Sequence, residues 1–154
     1  MNINTKAPDF SLFNAVNNEI SLEQYLGKWV IVYFYPKDNT SGCTREAIDF
    51  SNLNSKFSSE NAVILGISPD SQKSHTNFIT KQSLTIELLS DPDHAVAEMY
   101  GVWQKKKLYG KEYMGIVRST FLIDPDGIIR EIWNKVSVAQ HAETVFNTLC
   151  TLKR

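Results

Sequence analysis

Residues 33–50 of the chain read YFYPKDNTSGCTREAIDF. The stretch begins inside an apolar run, residues 29–35 (WVIVYFY), whose β-branched and aromatic residues favour a strand buried on both faces of a sheet. Pro36 ends that run, and from Thr44 onward apolar residues recur at three- and four-residue spacing, which predicts an amphipathic helix. Cys43 is therefore expected at a helix start, where unpaired N–H groups and the helix dipole favour a thiolate over a thiol.

The segments that follow predict further strands in alternation with helices. Residues 63–67 and 86–89 are short apolar runs typical of buried strands. Helix-start signals follow each run, SPDS at 68–71 before a helix containing Phe78 and Ile79, and Asp91-Pro92 before a helix at 95–100. Strands that alternate with helices indicate a largely parallel sheet covered on both sides.

The two ends of the chain have different patterns. Residues 7–16 (APDFSLFNAV) predict an opening strand or hairpin, and the capping-box pattern SLEQ at 21–24 predicts a short helix. Residues 117–123 and 128–136 flank DPDG, a strong hairpin signal, and a final helix follows with an apolar stripe. The polar, lysine-rich segment 104–115 is expected to be a surface loop.

Taken together, the order is β-α-β-α-β-α, then a β-hairpin and a last helix. This order predicts an α/β, thioredoxin-like fold with a central mixed sheet flanked by helices and an N-terminal hairpin extension. With 154 residues, 42% of them hydrophobic, the chain is expected to form a single domain over residues 1–154.

Composition also bounds the function. The net charge of -1 predicts no general attraction to nucleic acid or to a membrane surface. Nothing at the N-terminus resembles a signal peptide, so we expect a cytoplasmic protein. The two cysteines form no metal-ligand cluster, no cofactor is expected, and His75, His94 and His141 are expected to be surface polar residues.

Three residues could make Cys43 reactive. Thr40 can place its hydroxyl in the same turn, and Pro36 offers an apolar wall without a competing N–H. Arg118, at the start of a predicted strand, could bring a permanent positive charge to the thiolate from across the sheet.

The pattern P-x-x-x-T-x-x-C, met by Pro36, Thr40 and Cys43, resembles the signature of the peroxiredoxins. The chain is similar in particular to the branch called bacterioferritin comigratory protein or PrxQ. The resemblance extends along nearly the whole chain through segments that occur in the same order: APDF, YFYPKD, GCTREA, LGISPDS, LLSDPD, YGVW, YMGI and RSTFLIDPDG.

This resemblance implies a thiol peroxidase that reduces hydrogen peroxide and organic hydroperoxides. Cys43 would attack the terminal peroxide oxygen and become a sulfenic acid, later recycled by thioredoxin or another thiol donor. Thr40 and Arg118 would hold the peroxide oxygens and stabilise the leaving group, Glu46 would hydrogen-bond Arg118, and Pro36 would shield the pocket. The branch also implies a monomer.

The chain departs from the branch in its second cysteine. Many members carry a resolving cysteine five residues after the first, where this chain has Ile48, and others carry it in the next helix, here at Phe78 and Ile79. The remaining thiol, Cys150, falls at the edge of the last helix's apolar stripe and is expected to be half exposed. Resolution by an external thiol is therefore favoured, with Cys150 as resolver, or as an inert helix residue, left open.

Two other functions fit a reactive thiol on this fold. A disulfide oxidoreductase needs a second cysteine close to the first, as in C-x-x-C, and residues 40–46 contain only Cys43. A peroxide sensor or redox-regulated binding protein needs only the oxidation of Cys43, without significant turnover. Catalytic turnover distinguishes a peroxidase from such a sensor.

Overall fold

The structure is a computed structural model that describes residues 1–154. Its strands are β1 (Ser11–Asn14), β2 (Glu19–Ser21), β3 (Trp29–Phe34), β4 (Ala62–Ser68), β5 (Glu87–Ser90), β6 (Trp103–Leu108), β7 (Lys111–Ile116), β8 (Ser119–Ile123) and β9 (Ile129–Trp133). Its α-helices are α1 (Ser41–Ser59), α2 (Gln72–Gln82), α3 (Ala95–Met99) and α4 (His141–Lys153), and a 3-10 helix spans Glu23–Tyr25.

Seven strands form one sheet in the order β2-β1-β5-β4-β3-β8-β9. The three neighbours β5, β4 and β3 are parallel, as the alternation of strands and helices predicts. β8 pairs antiparallel with β3, and β9 pairs antiparallel with β8. The hairpin of β1 and β2 joins the other side through an antiparallel pairing with β5. The predicted mixed sheet and N-terminal hairpin extension are therefore confirmed.

Each face of the sheet carries its own apolar core, because side chains alternate along a strand. All six residues of β3 are buried. Val30, Val32 and Phe34 point into one core with residues of α3 and the N-terminal segment, including Phe10 and Val96. Residues 31, 33 and 35 lie in the other core, between the sheet and helices α1, α2 and α4. Cys43 belongs to this second core.

Three predicted helix starts form as expected, and at the start of α2 Ser71 Oγ accepts from Ser74 N at 3.1 Å. The capping box is complete, since Gln24 N donates to Ser21 Oγ (3.3 Å) and Ser21 N donates to Gln24 Oε1 (2.9 Å). Asp91 accepts hydrogen bonds from the backbone N–H groups of Val96 and Ala97 in the first turn of α3. None of the helices combines enough length and apolarity to cross a membrane.

The prediction that residues 104–115 form a surface loop is wrong about their secondary structure. The segment is exposed for most of its length, but it forms a two-stranded antiparallel sheet, β6 with β7. Tyr109 and Gly110 connect the strands, both with positive φ (52° and 78°), as a two-residue hairpin turn requires. The lysine-rich composition hides this hairpin because the turn lacks the usual Asn-Gly or Asp-Gly pair.

The expectation that the three histidines are surface residues is wrong for two of them. His75 is 0% exposed and contacts Asp38, while His141 is 6% exposed and contacts Thr120. These partners lie 37 and 21 positions away along the chain, so local spacing gives no sign of them. His94 stays one-third exposed.

Gly66 of β4 tests how tightly the second core is packed. A Cβ atom at this position would lie 2.8 Å from the ring of Tyr33 and 2.8 Å from Leu88 Cδ2. We expect Gly66→Ala to lower the free energy of unfolding by about 1–3 kcal/mol in urea titrations, because neither neighbour has room to move. The matched control is Gly115→Ala, whose Cβ would lie 3.1 Å from the flexible Lys106 side chain and 3.3 Å from the ring of the exposed Tyr113. Because both neighbours can shift toward solvent, it should change the free energy of unfolding by less than about 0.5 kcal/mol. Equal effects would contradict this account.

Candidate active site

Cys43 lies in the first turn of α1, as the sequence predicts. Thr40 occupies the N-cap position with extended backbone angles (φ −82°, ψ 156°), and its carbonyl accepts the hydrogen bond from Thr44 N at 2.8 Å. The thiol is nevertheless almost fully buried, at 2% exposure. The sulfur therefore combines the electrostatic field of a helix N-terminus with a largely apolar surrounding.

Arg118 joins the sulfur to a buried carboxylate. It lies in the short connection between β7 and β8, and its Nη2 donates to Cys43 Sγ at 3.1 Å. Its Nη1 donates to Glu46 Oε1 at 2.6 Å. Burial lowers the pKa of Arg118, but the negative charge of Glu46 and of Cys43 outweighs that effect and raises it. The guanidinium is thus a fixed positive charge directed at the sulfur, and the expected Glu46–Arg118 contact is present.

Glu46 has an unusual environment for a carboxylate. It is 1% exposed, and its Oε2 atom has no hydrogen-bond partner. Burial raises the pKa of Glu46 to about 7, while the charge and hydrogen bond of Arg118 act in the opposite direction. The group can therefore exchange a proton near neutral pH while it orients Arg118 through Oε1.

Thr40 and Pro36 lie at the outer side of the site. Thr40 is exposed, and its hydroxyl donates to the carbonyl of Lys37 at 2.9 Å, while its oxygen accepts no hydrogen bond from a backbone N–H of α1. The side chain therefore does not cap the helix, and the hydroxyl oxygen keeps its acceptor capacity. Pro36 is half-buried at the end of β3. The structure thus places Thr40 close to Cys43 in the chain but without a direct contact between them.

Two small residues make room for the site, and the sequence reasoning missed both. A Cβ atom on Gly42 would lie 3.4 Å from Arg118 Nη2, so glycine leaves space for the guanidinium beside the sulfur. Gly66 similarly leaves room for the phenol of Tyr33, whose hydroxyl is buried without a partner. Burial, followed by the charges of Glu46 and Cys43, raises the pKa of Tyr33 well above its ordinary value.

His141 lies near Arg118 as a neutral group. Burial, followed by the positive charge of Arg118, lowers the pKa of His141 to about 4. Its Nε2 is 2.8 Å from the hydroxyl of Thr120, the second residue of β8. The contact ties the start of α4 to the strand that follows Arg118 without adding a competing positive charge.

Cys150 lies far from Cys43. Helix α4 runs beside α1 in the same direction, since Phe146 packs on Phe57 and Lys153 Nζ bonds Glu60 Oε2 at 2.9 Å. Cys150 is therefore level with the last turn of α1, whereas Cys43 is in its first turn. At 1.5 Å per residue the two thiols are on the order of 20 Å apart, and a disulfide requires Cα atoms within about 7 Å. Both cysteines are free, and Cys150 is half-buried as expected.

A second polar cluster lies beside the site and was also missed. Asp38, Asp70 and His75 bring potential metal-ligand atoms within 4.8 Å of one another. Their polar atoms are already committed, because Asp38 pairs with His75 and Asp70 accepts from Asp38 N–H and from Ser68 Oγ. The cluster is thus a hydrogen-bonded network. Its signal in the sequence would have been the two acidic residues in the connections that follow buried strands.

Comparison with known proteins finds relatives along nearly the whole chain. The chain matches the AhpC/TSA family over residues 3–132. It is 50% identical over 143 residues to a putative peroxiredoxin Bcp of Helicobacter pylori (strain J99), covering 93% of this chain and 94% of that protein. It is 48% identical over 147 residues to peroxiredoxin Bcp of Bacillus subtilis, covering 96% of this chain and 94% of that protein.

Solved structures give the same result. A PrxQ mutant of Xylella fastidiosa superposes with a TM-score of 0.95 and 39% identity, covering 100% of this chain and 98% of that one. The bacterioferritin comigratory protein of Xanthomonas campestris, studied for its alkyl peroxide reduction activity, superposes with a TM-score of 0.90 and 41% identity. The superposition covers 94% of this chain and 92% of that one.

The buried carboxylate of Glu46 should make stability depend on pH. A glutamate titrates near 4.5 when unperturbed and near 7 in this site, so the folded state holds the proton more tightly. The contribution of Glu46 to the free energy of unfolding therefore falls as pH rises between these values. From about pH 5 to about pH 8, urea titrations should show the wild type losing on the order of 2 kcal/mol more than Glu46→Gln.

The surface variant Glu112→Gln is the matched control for this measurement. Glu112 is exposed and pairs only with the exposed Lys105, so this variant should follow the wild type across the pH range. Parallel pH profiles for the wild type and Glu46→Gln would contradict the assigned burial effect.

Proposed function

The chain belongs to the AhpC/TSA family and, within it, to the Bcp or PrxQ peroxiredoxins, and we propose that Cys43 is its peroxidatic thiol. The protein is a thiol peroxidase that reduces hydroperoxides with electrons from a thiol reductant. The observation that carries the assignment of Cys43 is the 3.1 Å contact between its sulfur and Arg118 Nη2 at a helix start.

The proposed oxidation step uses the groups around the sulfur. The Cys43 thiolate attacks the terminal oxygen of the hydroperoxide, a sulfur–oxygen bond forms, and the oxygen–oxygen bond breaks. Cys43 keeps the terminal oxygen as a sulfenic acid, and the other peroxide oxygen leaves as an alkoxide or hydroxide, which takes up a proton to give an alcohol or water. Arg118 stabilises the negative charge that develops on the leaving oxygen, and Glu46 fixes the guanidinium. The Thr40 hydroxyl oxygen accepts a hydrogen bond from the O–H group of the peroxide. Pro36 shields the pocket from bulk water.

The proposed recycling step uses an external thiol. A reductant thiol attacks the sulfenic acid, forming a mixed disulfide and water, and a second thiol then releases reduced Cys43. Three observations support this route: positions 48, 78 and 79 carry no sulfur, Cys150 lies at the far end of α1, and both cysteines are free. We propose thioredoxin or another small thiol donor as the reductant.

The cellular setting is part of the same proposal. Two free thiols and a need for thiol reductant suit a reducing compartment, so we propose the cytoplasm. We also propose that the protein is a monomer, because it is similar to the PrxQ branch. Light scattering tests this, since a monomer has a mass of 17.5 kDa.

Rapid mixing with hydrogen peroxide tests the oxidation step. Wild type and Cys150→Ser should both lose the Cys43 thiol far faster than free cysteine does, whereas Cys43→Ser should not react. Arg118→Gln should slow the reaction by roughly 100–1,000-fold, because it removes a charged donor aimed at the developing negative charge. A wild-type rate equal to that of free cysteine would overturn the proposed function.

Exposure to one equivalent of peroxide tests the recycling step. Intact-mass analysis should show one added oxygen in both wild type and Cys150→Ser, and a mixed disulfide in both after a small thiol is added. An intramolecular disulfide confined to wild type would instead make Cys150 the resolving residue. Sustained peroxide consumption with thioredoxin and its reductase separates a peroxidase from a sensor, which would stop after one oxidation.

A further inference from the structure

Asp38 is a buried carboxylate in the loop that leads to Cys43. It lies between Pro36 and Thr40 and is only 4% exposed. Its Oδ1 accepts from the hydroxyl of Tyr35 at 2.6 Å, and its Oδ2 accepts from Ser74 Oγ at 2.8 Å. Burial opposes ionisation, but the hydrogen bond and charge of His75, with those two hydroxyls, outweigh it and hold the pKa of Asp38 below its usual range. Asp38 is therefore ionised.

His75, in the first turn of α2, is the buried partner of this carboxylate. The residue is 0% exposed, its Nδ1 is 2.8 Å from Asp38 Oδ2, and its Nε2 is 3.0 Å from the carbonyl of Leu89. A carbonyl oxygen only accepts hydrogen bonds, so Nε2 donates to Leu89 and Nδ1 is the nitrogen that faces the carboxylate. His75 thus bridges Asp38 to the backbone of β5 through two buried polar contacts.

The Asp38–His75 pair fixes the backbone of the loop at several points. The N–H of Asp38 donates to Asp70 Oδ2 at 2.7 Å, in the connection that follows β4. The preceding residue, Lys37, provides the carbonyl that receives the Thr40 hydroxyl. Asn39, between them, turns the chain with a φ of 63°. The position of the Thr40 hydroxyl therefore depends on where Asp38 is held.

We propose that the Asp38–His75 pair is a positioning element for peroxide reduction, which holds loop 36–40 so that Thr40 and Cys43 meet the peroxide together. The assignment rests on the proposed function. His75 touches neither Cys43 nor Thr40 and acts through Asp38. Without the imidazole ring, the buried carboxylate of Asp38 would lose its closest side-chain partner in α2, and the loop would relieve that cost by moving Asp38 toward water. That movement displaces Thr40 and uncovers the buried sulfur.

Two substitutions of His75 separate positioning from simple packing. Asparagine places an amide N–H near the position of Nδ1 and can still donate to Asp38, whereas glutamine places its amide near Nε2 and reaches only Leu89. In a Cys150→Ser background, His75→Gln should slow oxidation of Cys43 by hydrogen peroxide by roughly 10–100-fold. His75→Asn should be slowed less. Alkylation of Cys43 by iodoacetamide should change in the opposite direction, fastest in His75→Gln, because this reaction needs an accessible sulfur and not Thr40.

The controls decide between the outcomes. His94→Asn, at a partly exposed histidine outside the site, should leave both reactions unchanged. If His75→Gln does not fold, Ser74→Ala, which removes one donor to the same carboxylate oxygen, should shift both reactions in the same directions by a smaller amount. Equal rates in His75→Gln and His75→Asn, or no response in Ser74→Ala, would overturn the assignment. If the wild type is oxidised fast and the His75 and Ser74 variants are oxidised at the same rate, the positioning role is overturned but the proposed function is not.

Discussion

The guanidinium of Arg118, shared between the sulfur of Cys43 and the carboxylate of Glu46, is the interaction on which the rest of the structure depends. Both partners lie one turn apart on α1, so a single helix presents them on the same face. Arg118 lies in the connection before β8, 75 positions further along the chain than Cys43. It arrives there because β8 pairs with β3, with Ser119 opposite Phe34, which sets the residue before Ser119 near the end of β3 where α1 begins.

Burial gives this interaction its strength and its cost. Taking Arg118, Glu46 and the Cys43 sulfur out of water removes solvent screening, so their mutual attraction is larger than on a surface. The same burial penalises each charge, and only the pairing offsets it. Glu46 shows the balance most clearly, since its pKa rises to about 7 despite a direct hydrogen bond from Arg118. The site thus keeps one carboxylate poised to gain or lose a proton beside a permanent positive charge.

Local patterns in the sequence predict the parts of this arrangement that are local. The position of Cys43 at a helix start follows from the apolar run, Pro36 and the helical spacing that come before and after it. The contact between Arg118 and Glu46 joins distant positions, and only the resemblance to a known family predicts it. The Asp38–His75 pair and the space for Tyr33 at Gly66 depend on strand pairing and helix docking, so no pattern within one segment reveals them. The β6–β7 hairpin was missed because its turn, Tyr109-Gly110, lacks the common hairpin residues.

The burial of Cys43 also constrains how the enzyme is recycled. At 2% exposure, the sulfur leaves access for a small molecule at most, and a thiol on another protein needs a wider approach. Because position 48 is isoleucine and Cys150 is at the opposite end of α1, the proposed recycling by an external thiol requires the chain to uncover the sulfenic acid. On that proposed route, the loop before Cys43 would need a closed form for oxidation and an open form for reduction. The buried Asp38–His75 pair that spans this loop and α2 is suited to set the balance between them, because its contribution is lost as a unit when Asp38 moves.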